Sequence, residues 1–549
     1  MAITPKQNLP FVSKLLKNHQ QLWDKQNIWR TTGESLRHYI RPNDTEINTI
    51  DQTEGRERFD RVYSSTAVIA APRLASHLTA NVTPSKLQWF NYEAPTEDVQ
   101  DLTSDDRDWL QDEALKIFKS IQSSNFGGEI LKFWLEATVY GTGAIQSMEH
   151  PRLPGEFLFH TIPYGEYVMD EGEDGLVSRF DREFRWTLDK IVQKWGMDNI
   201  SPNWQRDFEH NPFQLKQLVQ MIKPSQKEDH QFGVPSNRPW AFYVMDMQNK
   251  HILEASGFQE HPVHVGRWFQ AAGEDLGRGP GHDVLADIRS DNEIARLGLN
   301  NLAISVYPPM IAKHEGVLGQ PVLRPAALNW VMEQGDLVPW KNAARLDLQQ
   351  YGQQLLKLSI DRAFYQDLIN ITQNQPQGKT PISATQINAN IDIMLPIIGP
   401  FLAKIEHEMM IPMLNRLNGI KQRAGKVTDL PPGLLAMLQA AGGLLGLQIK
   451  GPIARAIKKQ QADAVDAVIT RFNSVSAVWP EFVDKVNVDR VGKIWVDAEN
   501  APIEMLNTED EEQAIRDQRA KAKEQAQENQ DLLDASQVAK NTSGIPQEA

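Results

Sequence analysis

The segment that decides the fold begins with Arg267-Trp268, passes through Glu274-Asp275-Leu276-Gly277-Arg278-Gly279-Pro280, and enters one long helical pattern. The glycines and the proline predict a sharply turned approach, because glycine reaches backbone angles closed to other residues and proline fixes one of its own. After the turn, residues recur at alternating steps of three and four, namely Leu285, Ile288, Asn292, Ala295, Leu299, Leu302 and Val306. This spacing predicts a helix, ending at Tyr307-Pro308-Pro309, that packs along its length against other helices.

A second helix with the same spacing follows a short module rich in proline. The module, residues 308–342, contains Pro308, Pro309, Pro321, Pro325 and Pro339, with short apolar runs between them. The three-four alternation then returns at Leu348, Tyr351, Leu355, Leu358, Arg362, Tyr365 and Ile369. Two such helices on either side of a compact module predict a hairpin-shaped unit, with helices at 283–307 and 343–370.

The chain before this hairpin predicts helices followed by a β-rich insertion. The first 40 residues indicate one helix with an apolar face of Leu15, Leu22, Trp29, Leu36 and Ile40. Further helices are predicted at about 60–79 and 130–140. Between about 144 and 268 the pattern changes to strands, with period-two alternation over 176–186 after the turn Glu173-Asp174-Gly175. Additional strands are expected at 240–247 and 263–268.

The chain after the hairpin is expected to begin with a polar loop, 371–383. A helix over 384–425 should be kinked, because Pro396, Pro400 and Pro412 lie within its apolar stripe. A helical region over 426–507 and a charged helix and tail over 508–549 complete the prediction.

Composition limits the class of protein. The chain has 549 residues, of which 41% are hydrophobic and 23% charged, which describes a folded globular protein of several domains. No apolar run reaches the roughly 20 residues of a membrane span, and the N-terminus lacks a signal-peptide core. The absence of cysteine excludes disulfides and thiolate metal sites. A net charge of −14 argues against a surface that grips DNA tightly, though not against a channel through which DNA slides.

Four candidate chemical sites are weak. Gly378-Lys379-Thr380 imitates the end of a phosphate-binding loop, but the position five residues before Gly378 is Gln373 and Pro381 follows. The glycines at 277, 279 and 281 lack dinucleotide-fingerprint spacing. His261 and His264 have neither helical neighbours nor further ligands nearby. The acidic pair Glu171 with Glu173-Asp174 belongs to a turn. We therefore expect no catalytic site, metal or cofactor.

The ordered motifs resemble one protein family. Arg58-Phe59-Asp60-Arg61-Val62-Tyr63-Ser64-Ser65-Thr66-Ala67, then Leu74-Ala75-Ser76 and Trp89-Phe90, precede the Arg267-Trp268 and Gly277-Arg278-Gly279-Pro280 segments. This series resembles the portal (head-to-tail connector) proteins of short-tailed, T7-like bacteriophages. The family usually has Tyr where this chain has Leu276. The resemblance covers most of residues 30–420.

The resemblance implies a ring-subunit architecture. The fold class would be α+β, mainly α, with a wing at 1–282 containing the β-rich insertion, stem helices at 283–307 and 343–370, and a small α/β clip at 308–342. A channel loop at 371–383, a kinked wing helix at 384–425, a helical crown at 426–507 and a C-terminal helix and tail at 508–549 would follow. A stem helix over 283–307 would be roughly 38 Å long.

The resemblance also implies a function. About twelve subunits would form a ring at one capsid vertex that nucleates head assembly and conducts double-stranded DNA without sequence specificity during packaging and ejection. Expected partners are the terminase large subunit, the major capsid and scaffolding proteins and a tail adaptor protein, with no membrane. The ring would assemble in the host cytoplasm and become part of the virion.

Two sets of residues are the predicted functional positions. The channel loop would present Gln373, Asn374, Gln375, Gln377 and Lys379 to DNA. The stem would pack between subunits through Leu285, Ile288, Ala295, Leu299, Leu302, Val306, Leu348, Leu355 and Leu358. Two other functions stay open: a nucleotide hydrolase that uses the Lys379 loop, and a tail or adaptor ring that never contacts the packaging motor.

Overall fold

The structure, a computed structural model, describes most of the chain up to residue 449. The described residues are 8–48, 61–93, 103–306, 310–312, 330, 333, 337–339, 346–366, 399–427, 430–440, 446–449, 462 and 465–471, with isolated positions from 491 to 522. The chain divides into two compact units. The first takes its residues from 1–89, 116–427 and 451–453, and the second from 90–115, 428–450 and 454–549.

The described residues form both helices and strands. The helices are α1 Leu9–Lys25, α2 Asn27–Ile40, α3 Thr66–Val82, α4 Ser104–Ser123, α5 Phe126–Tyr140, α6 Leu188–Trp195, α7 Pro202–His210, α8 Lys227–Gln231, α9 Pro280–Asp283, α10 Leu285–Val306, α11 Leu346–Ala363, α12 Ile411–Arg423 and α13 Pro432–Ala440. The strands are β1 Phe90–Glu93, β2 Thr142–Glu149, β3 Phe157–Ile162, β4 Tyr167–Glu171, β5 Val177–Thr187, β6 Leu215–Pro224, β7 Trp240–Asp246, β8 His251–Phe258, β9 Val263–Arg267, β10 Met310–Ala312, β11 Leu337–Pro339 and β12 Gly446–Ile449. The expected α+β class is confirmed.

Two antiparallel sheets form the β-rich part of the first unit. Strands β4 to β8 make a five-stranded meander in sequence order, and β2 lies between β3 and β9 in a three-stranded sheet. Helix α1 packs on the meander, where Phe11 and Leu15 meet Tyr243 and Met245 in a buried cluster. Tyr243 and Met245 are two residues apart on β7 and therefore point to the same face. This packing fixes the N-terminal helix to the insertion.

Helix α5 is the central element of the first unit. Ile130, Phe133, Trp134 and Ala137, spaced three and four apart, are fully buried. The indole nitrogen of Trp134 donates to the hydroxyl oxygen of Thr83 at 3.0 Å, so this buried polar group is satisfied. In the second unit, β1 pairs antiparallel with β12.

The end of α5 crosses the turn that leads to α10, and the two backbones approach closely at the crossing. Gly141 has φ +74, and a Cβ there would lie 2.4 Å from the carbonyl oxygen of Gly277. The amide of Trp268 donates to the carbonyl of Gly141 at 2.8 Å, and the amide of Gly277 donates to the hydroxyl of Thr142 at 2.8 Å. The Gly277-Arg278-Gly279 turn is therefore a site of close backbone approach and not a nucleotide loop.

Several predicted boundaries were wrong. The first 40 residues form two helices, because Gln26 leaves helical geometry and its side-chain amide donates to the carbonyl of Met169 at 2.7 Å. The helix predicted at 60–79 begins at Thr66. Helix α4 was not predicted, and within the insertion neither were helices α6, α7 and α8 nor strands β2, β3, β4, β6 and β8. In the segment 384–425, for which a kinked helix was predicted, a π-helical turn, Glu406–Met410, interrupts the α-helical geometry shortly before Pro412, and residues 384–398 lie outside the described residues.

We predict that Gly141→Ala destabilises the chain by more than about 3 kcal/mol, because left-handed strain adds to a clash with backbone atoms that cannot move aside. The matched control is Gly273→Ala. Gly273 has φ +81 but no atom within 4 Å of an added Cβ, so only the strain of about 1 kcal/mol should appear. Denaturant unfolding of both purified variants measures the difference. Equal losses would contradict the role of the crossing.

Candidate functional site

Helices α10 and α11 form an antiparallel hairpin. The side-chain amide of Gln349 donates to the carbonyl of Ile294 at 2.9 Å, and the hydroxyl of Ser359 donates to the carboxylate of Asp287 at 2.6 Å. Strands β10 and β11 pair antiparallel beyond the far end of the hairpin. At 22 residues, α10 is about 33 Å long.

Most of the predicted stem-packing side chains are about half exposed in the single chain. They are Leu299 at 54%, Leu302 at 54%, Val306 at 62%, Leu348 at 57%, Leu355 at 50% and Leu358 at 47%. Leu285 and Ala295 are partly buried. Ile288, in contrast, is only 5% exposed, so little of its side chain is left for a neighbouring subunit. Both helices thus carry a row of large apolar side chains that their own hairpin does not cover.

The base of the hairpin is fixed to the segment before α3. The side-chain oxygen of Asn292 accepts from the amides of Tyr63 at 2.6 Å and Ser64 at 3.2 Å, and its nitrogen donates to the carbonyl of Arg61 at 3.1 Å. The neighbouring Asp291 is 1% exposed and accepts from the hydroxyls of Ser64 and Thr66. The Tyr63-Ser64-Ser65-Thr66 motif therefore positions the first helix of the hairpin.

Arg267 joins three separate segments in a buried ion cluster. It is 1% exposed, and its guanidinium donates to Glu408 at 2.7 and 3.1 Å and to Glu171 at 2.6 Å. The remaining donors reach the carbonyls of Gly175 at 2.6 Å and Asp275 at 3.2 Å. Burial lowers the pKa of Arg267, but its hydrogen bonds and charge pairing with Glu408 and Glu171 outweigh this and raise the pKa overall. All five N–H donors are used, so the group is held in one position.

The next residue, Trp268, extends this junction by stacking. Its ring lies 3.7 Å from the ring of Phe401, in the helical stretch 399–405, and 6.2 Å from that of Tyr365, just after α11. The start of α10 and the end of α11, which together form the base of the hairpin, are therefore both held against the rest of the first unit. The sequence identified Arg267-Trp268 as a motif, but the partners of the two side chains are up to 141 residues away and gave no signal.

The other sequence candidates are distributed as follows. The channel-loop residues Gln373, Asn374, Gln375, Gln377 and Lys379 lie outside the described residues.

His264 lies on strand β9 and His261 lies just before it, and no group of three or more metal-ligating side chains occurs in the described part of the chain. Burial lowers the pKa of both histidines, to about 4 for His261, so they are neutral at pH 7. His264 Nε2 lies 2.8 Å from the hydroxyl of Ser147.

Among the described helices, none is long and apolar enough to cross a membrane.

The chain belongs to the family of bacteriophage head to tail connecting proteins, whose model matches residues 12–506. The portal protein of Salmonella phage epsilon15 is 23% identical over 538 residues, which cover 94% of this chain and 92% of that protein. The probable portal protein of Bordetella phage BPP-1 is 22% identical over 526 residues, with the same coverage. The predicted portal (head-to-tail connector) family is therefore confirmed, and its place is the head–tail connection of the virion. Neither the family description nor the two names carries a catalytic activity.

Solved structures also resemble this chain. A chain from the neck of an empty gene transfer agent (GTA) particle has a TM-score of 0.33 and 11% identity, covering 77% of this chain and 92% of its own. A chain from the virion of a native gene transfer agent particle has a TM-score of 0.32 and 12% identity, covering 79% of this chain and 95% of its own.

We predict that Arg267→Met destabilises the chain by about 3–5 kcal/mol, because it removes the five-donor partner of the buried carboxylate of Glu408 and leaves only Lys404, 3.6 Å away, to balance it. Adding Glu408→Leu to this variant removes the poorly balanced charge and should restore at least half of the loss. Denaturant unfolding measures both. As a control, Arg296→Met breaks an exposed pair with Glu293 and should leave the midpoint unchanged. No recovery in the double variant would contradict the cluster's role.

Proposed function

We propose that this chain forms a portal ring whose subunits pack side by side through the hairpin α10/α11, with a DNA channel along the ring axis. The observation that carries the proposal is the pair of half-exposed apolar rows on a hairpin whose base is fixed by Arg267, Asn292 and Trp268. A rigid base with uncovered apolar sides favours association through those sides.

The magnitude of the uncovered surface supports a stable ring. Burying the exposed half of a leucine is worth about 1 kcal/mol, so the six half-exposed side chains contribute about 6 kcal/mol at each interface before the cost of association. In a closed ring every subunit makes this contact twice. Following the family, we propose about twelve subunits, residues 1–282 with 384–425 as wing and residues 426–507 as crown.

The clip, residues 308–342, is proposed as the contact region for the terminase motor and the tail adaptor. The proposal rests on its place at the tip of the hairpin, where β10 pairs with β11 and Trp330 is 71% exposed. The major capsid and scaffolding proteins would contact the wing, as the ring nucleates head assembly in the host cytoplasm.

Direct measurements distinguish the portal function from the two alternatives, the nucleotide hydrolase and the tail or adaptor ring. ATP turnover by the purified chain would favour the nucleotide hydrolase, and we expect none. Full packaging in extracts that lack this subunit would favour a tail or adaptor ring that never contacts the motor.

We predict that Leu299→Asp abolishes ring formation and leaves a folded, soluble chain, because an unpaired carboxylate in a buried interface costs several kcal/mol at every contact. Negative-stain images and sedimentation of the purified protein check this, with circular dichroism to confirm folding. The control Asn300→Asp adds the same charge at the adjacent position and should still form rings. Intact rings of normal stability from Leu299→Asp would remove this row from the interface.

We also propose that the loop 371–383 reaches the channel and contacts DNA weakly. Lys379 is its only charged residue, among glutamines and an asparagine that can hydrogen-bond phosphate.

Accordingly, Lys379→Ala should assemble rings and begin packaging but retain less DNA, with a defect that grows as salt screens the remaining contacts. DNA protected from nuclease in filled heads is the measurement, and Lys379→Arg is the charge-preserving control. Full retention by Lys379→Ala, and also by a deletion of 375–379, would exclude the loop from the DNA path.

A further inference from the structure

The two apolar rows of the hairpin α10/α11 point in different directions, and helical geometry gives each direction. Successive residues of an α-helix are turned by about 100° around its axis, so one known contact orients every side chain. A Cβ added at Gly298 would meet the side-chain nitrogen of Gln349, and the hydroxyl of Ser359 donates to Asp287 at 2.6 Å. Gly298 and Asp287 therefore mark the side of α10 that faces α11. Gln349 and Ser359 mark the facing side of α11.

On α10, the exposed apolar side chains divide between two faces of the hairpin. Leu299 and Val306 are turned by about 90–110° from the contact side, in the direction in which the helix winds. Leu302 lies on the same side, nearer to α11. Leu297, which is 45% exposed and was not among the predicted stem residues, is turned by about 90° in the opposite direction. Helix α10 thus presents a row of apolar side chains to one face and Leu297 to the other.

On α11, the exposed leucines point to the same face as Leu297. When two antiparallel helices face each other, the same direction of rotation from the contact side leads to the same face of the pair. Leu348 and Leu355 are turned by about 60–80° against the winding direction, as Leu297 is. Gln350 and Lys357 are turned by about 120–140° in the winding direction and lie on the other face. The two apolar rows therefore lie on opposite faces of the hairpin.

The two faces are complementary in shape. The ridge face carries one row that comes from α10 alone, namely Leu299, Leu302 and Val306. The groove face carries apolar side chains on both sides of the groove between the helices, namely Leu297, Leu348 and Leu355. Helices pack when a ridge of side chains on one enters a groove on another. The ridge face therefore fits the groove face, whereas two ridge faces would meet crest to crest.

The division between the faces also decides how subunits can associate. If both rows lay on one face, two subunits could cover them completely in a symmetric pair, in which that face meets its own copy. With the rows on opposite faces, any pair of subunits leaves one ridge face and one groove face exposed. A repeated head-to-tail contact that closes into a ring leaves neither exposed. The partner that fits each face is therefore a second copy of this chain.

We propose that the ridge face of each subunit packs against the groove face of the next, with Leu299 and Leu302 seated between Leu297 and Leu348. The proposal rests on the portal ring proposed above and adds which two surfaces meet in it. It also assigns an interface role to Leu297, which the spacing of the sequence did not identify.

The contact between Gly298 and Gln349 aligns the two faces along the hairpin. Because they adjoin these two residues, Leu299 and Leu348 lie at nearly the same height, and Leu355 lies about 10 Å nearer the base at 1.5 Å per residue. A hairpin parallel to the ring axis brings Leu299 against Leu348 of the next subunit. The groove-face leucines extend toward the base and the ridge extends toward the tip, so a tilted hairpin brings Leu299 toward Leu355.

The test is disulfide cross-linking of the full-length protein. The chain has no cysteine, so introduced cysteines report contacts without background. The variants Leu299→Cys/Leu348→Cys and Leu299→Cys/Leu355→Cys are assembled under reducing conditions, oxidised, and separated on a non-reducing denaturing gel. We expect at least one of them to give a ladder of covalent oligomers that extends to the complete ring. A disulfide within one subunit is excluded, because opposite faces of helices whose axes lie about 8–10 Å apart exceed the roughly 7 Å between Cα atoms that a disulfide spans.

Two controls accompany these variants. Leu299→Cys/Gln350→Cys places both thiols on the ridge face and should remain monomeric on the gel. Mixing the two single-cysteine variants of a pair that cross-links should give covalent dimers and nothing larger, since each subunit then carries one thiol. If a reduced double variant does not assemble, Leu302→Cys replaces Leu299→Cys.

The possible failures are distinguishable. Rings of normal appearance without a ladder from either pair would overturn the assignment of the faces and leave the proposed portal ring standing. Covalent dimers from Leu299→Cys alone would show that two ridge faces meet, and a ladder from the Gln350→Cys control would show that the ridge face contacts α11 on its other side. Either result would overturn the proposal. Absence of rings from the native chain, together with absence of a ladder, would overturn the proposed function and this contact at once.

Discussion

The rest of the structure depends on the hydrogen bonds and ion pairs that the buried guanidinium of Arg267 makes with Glu171, Glu408 and two backbone carbonyls. The guanidinium connects the turn before β5, the π-helical turn through Glu408 and the loop that approaches the hairpin. Because buried charges are costly to leave unpaired, these segments can only form together. Trp268 adds an apolar contact from the adjacent position, so two consecutive residues hold the base of the hairpin by different physical means.

A fixed base changes what the exposed leucines can do. On a mobile hairpin, half-exposed apolar rows would collapse onto the nearest surface of the same chain. Here Asn292 and Asp291 hold α10 at its base, and the rows at Leu299 and Leu355 stay outward over the length of both helices. In the ring proposed above, neighbouring hairpins would cover these rows and remove the free-energy cost of exposing them to water.

The sequence predicted the parts of this fold that depend on local spacing. The long helix α10 was visible because its three-four alternation runs between a glycine turn and two prolines. Strand β6 was missed because it lies inside the meander, where Leu218, Val219, Met221 and Ile222 are all buried and no alternation of polar and apolar residues survives. The break at Gln26 and the acceptors of Arg267 depend on residues far away in the chain, which spacing cannot reveal.

The backbone crossing at Gly141 has a consequence for how such chains diverge. A side chain that grows into a neighbouring side chain can be accommodated by shrinking that neighbour, but the atoms facing Gly141 belong to the main chain of Gly277, Arg278 and Gly279. No substitution elsewhere makes room for a larger residue there. The crossing of the two glycine turns is therefore a reference position at which chains that differ too much to align along their whole length can be aligned.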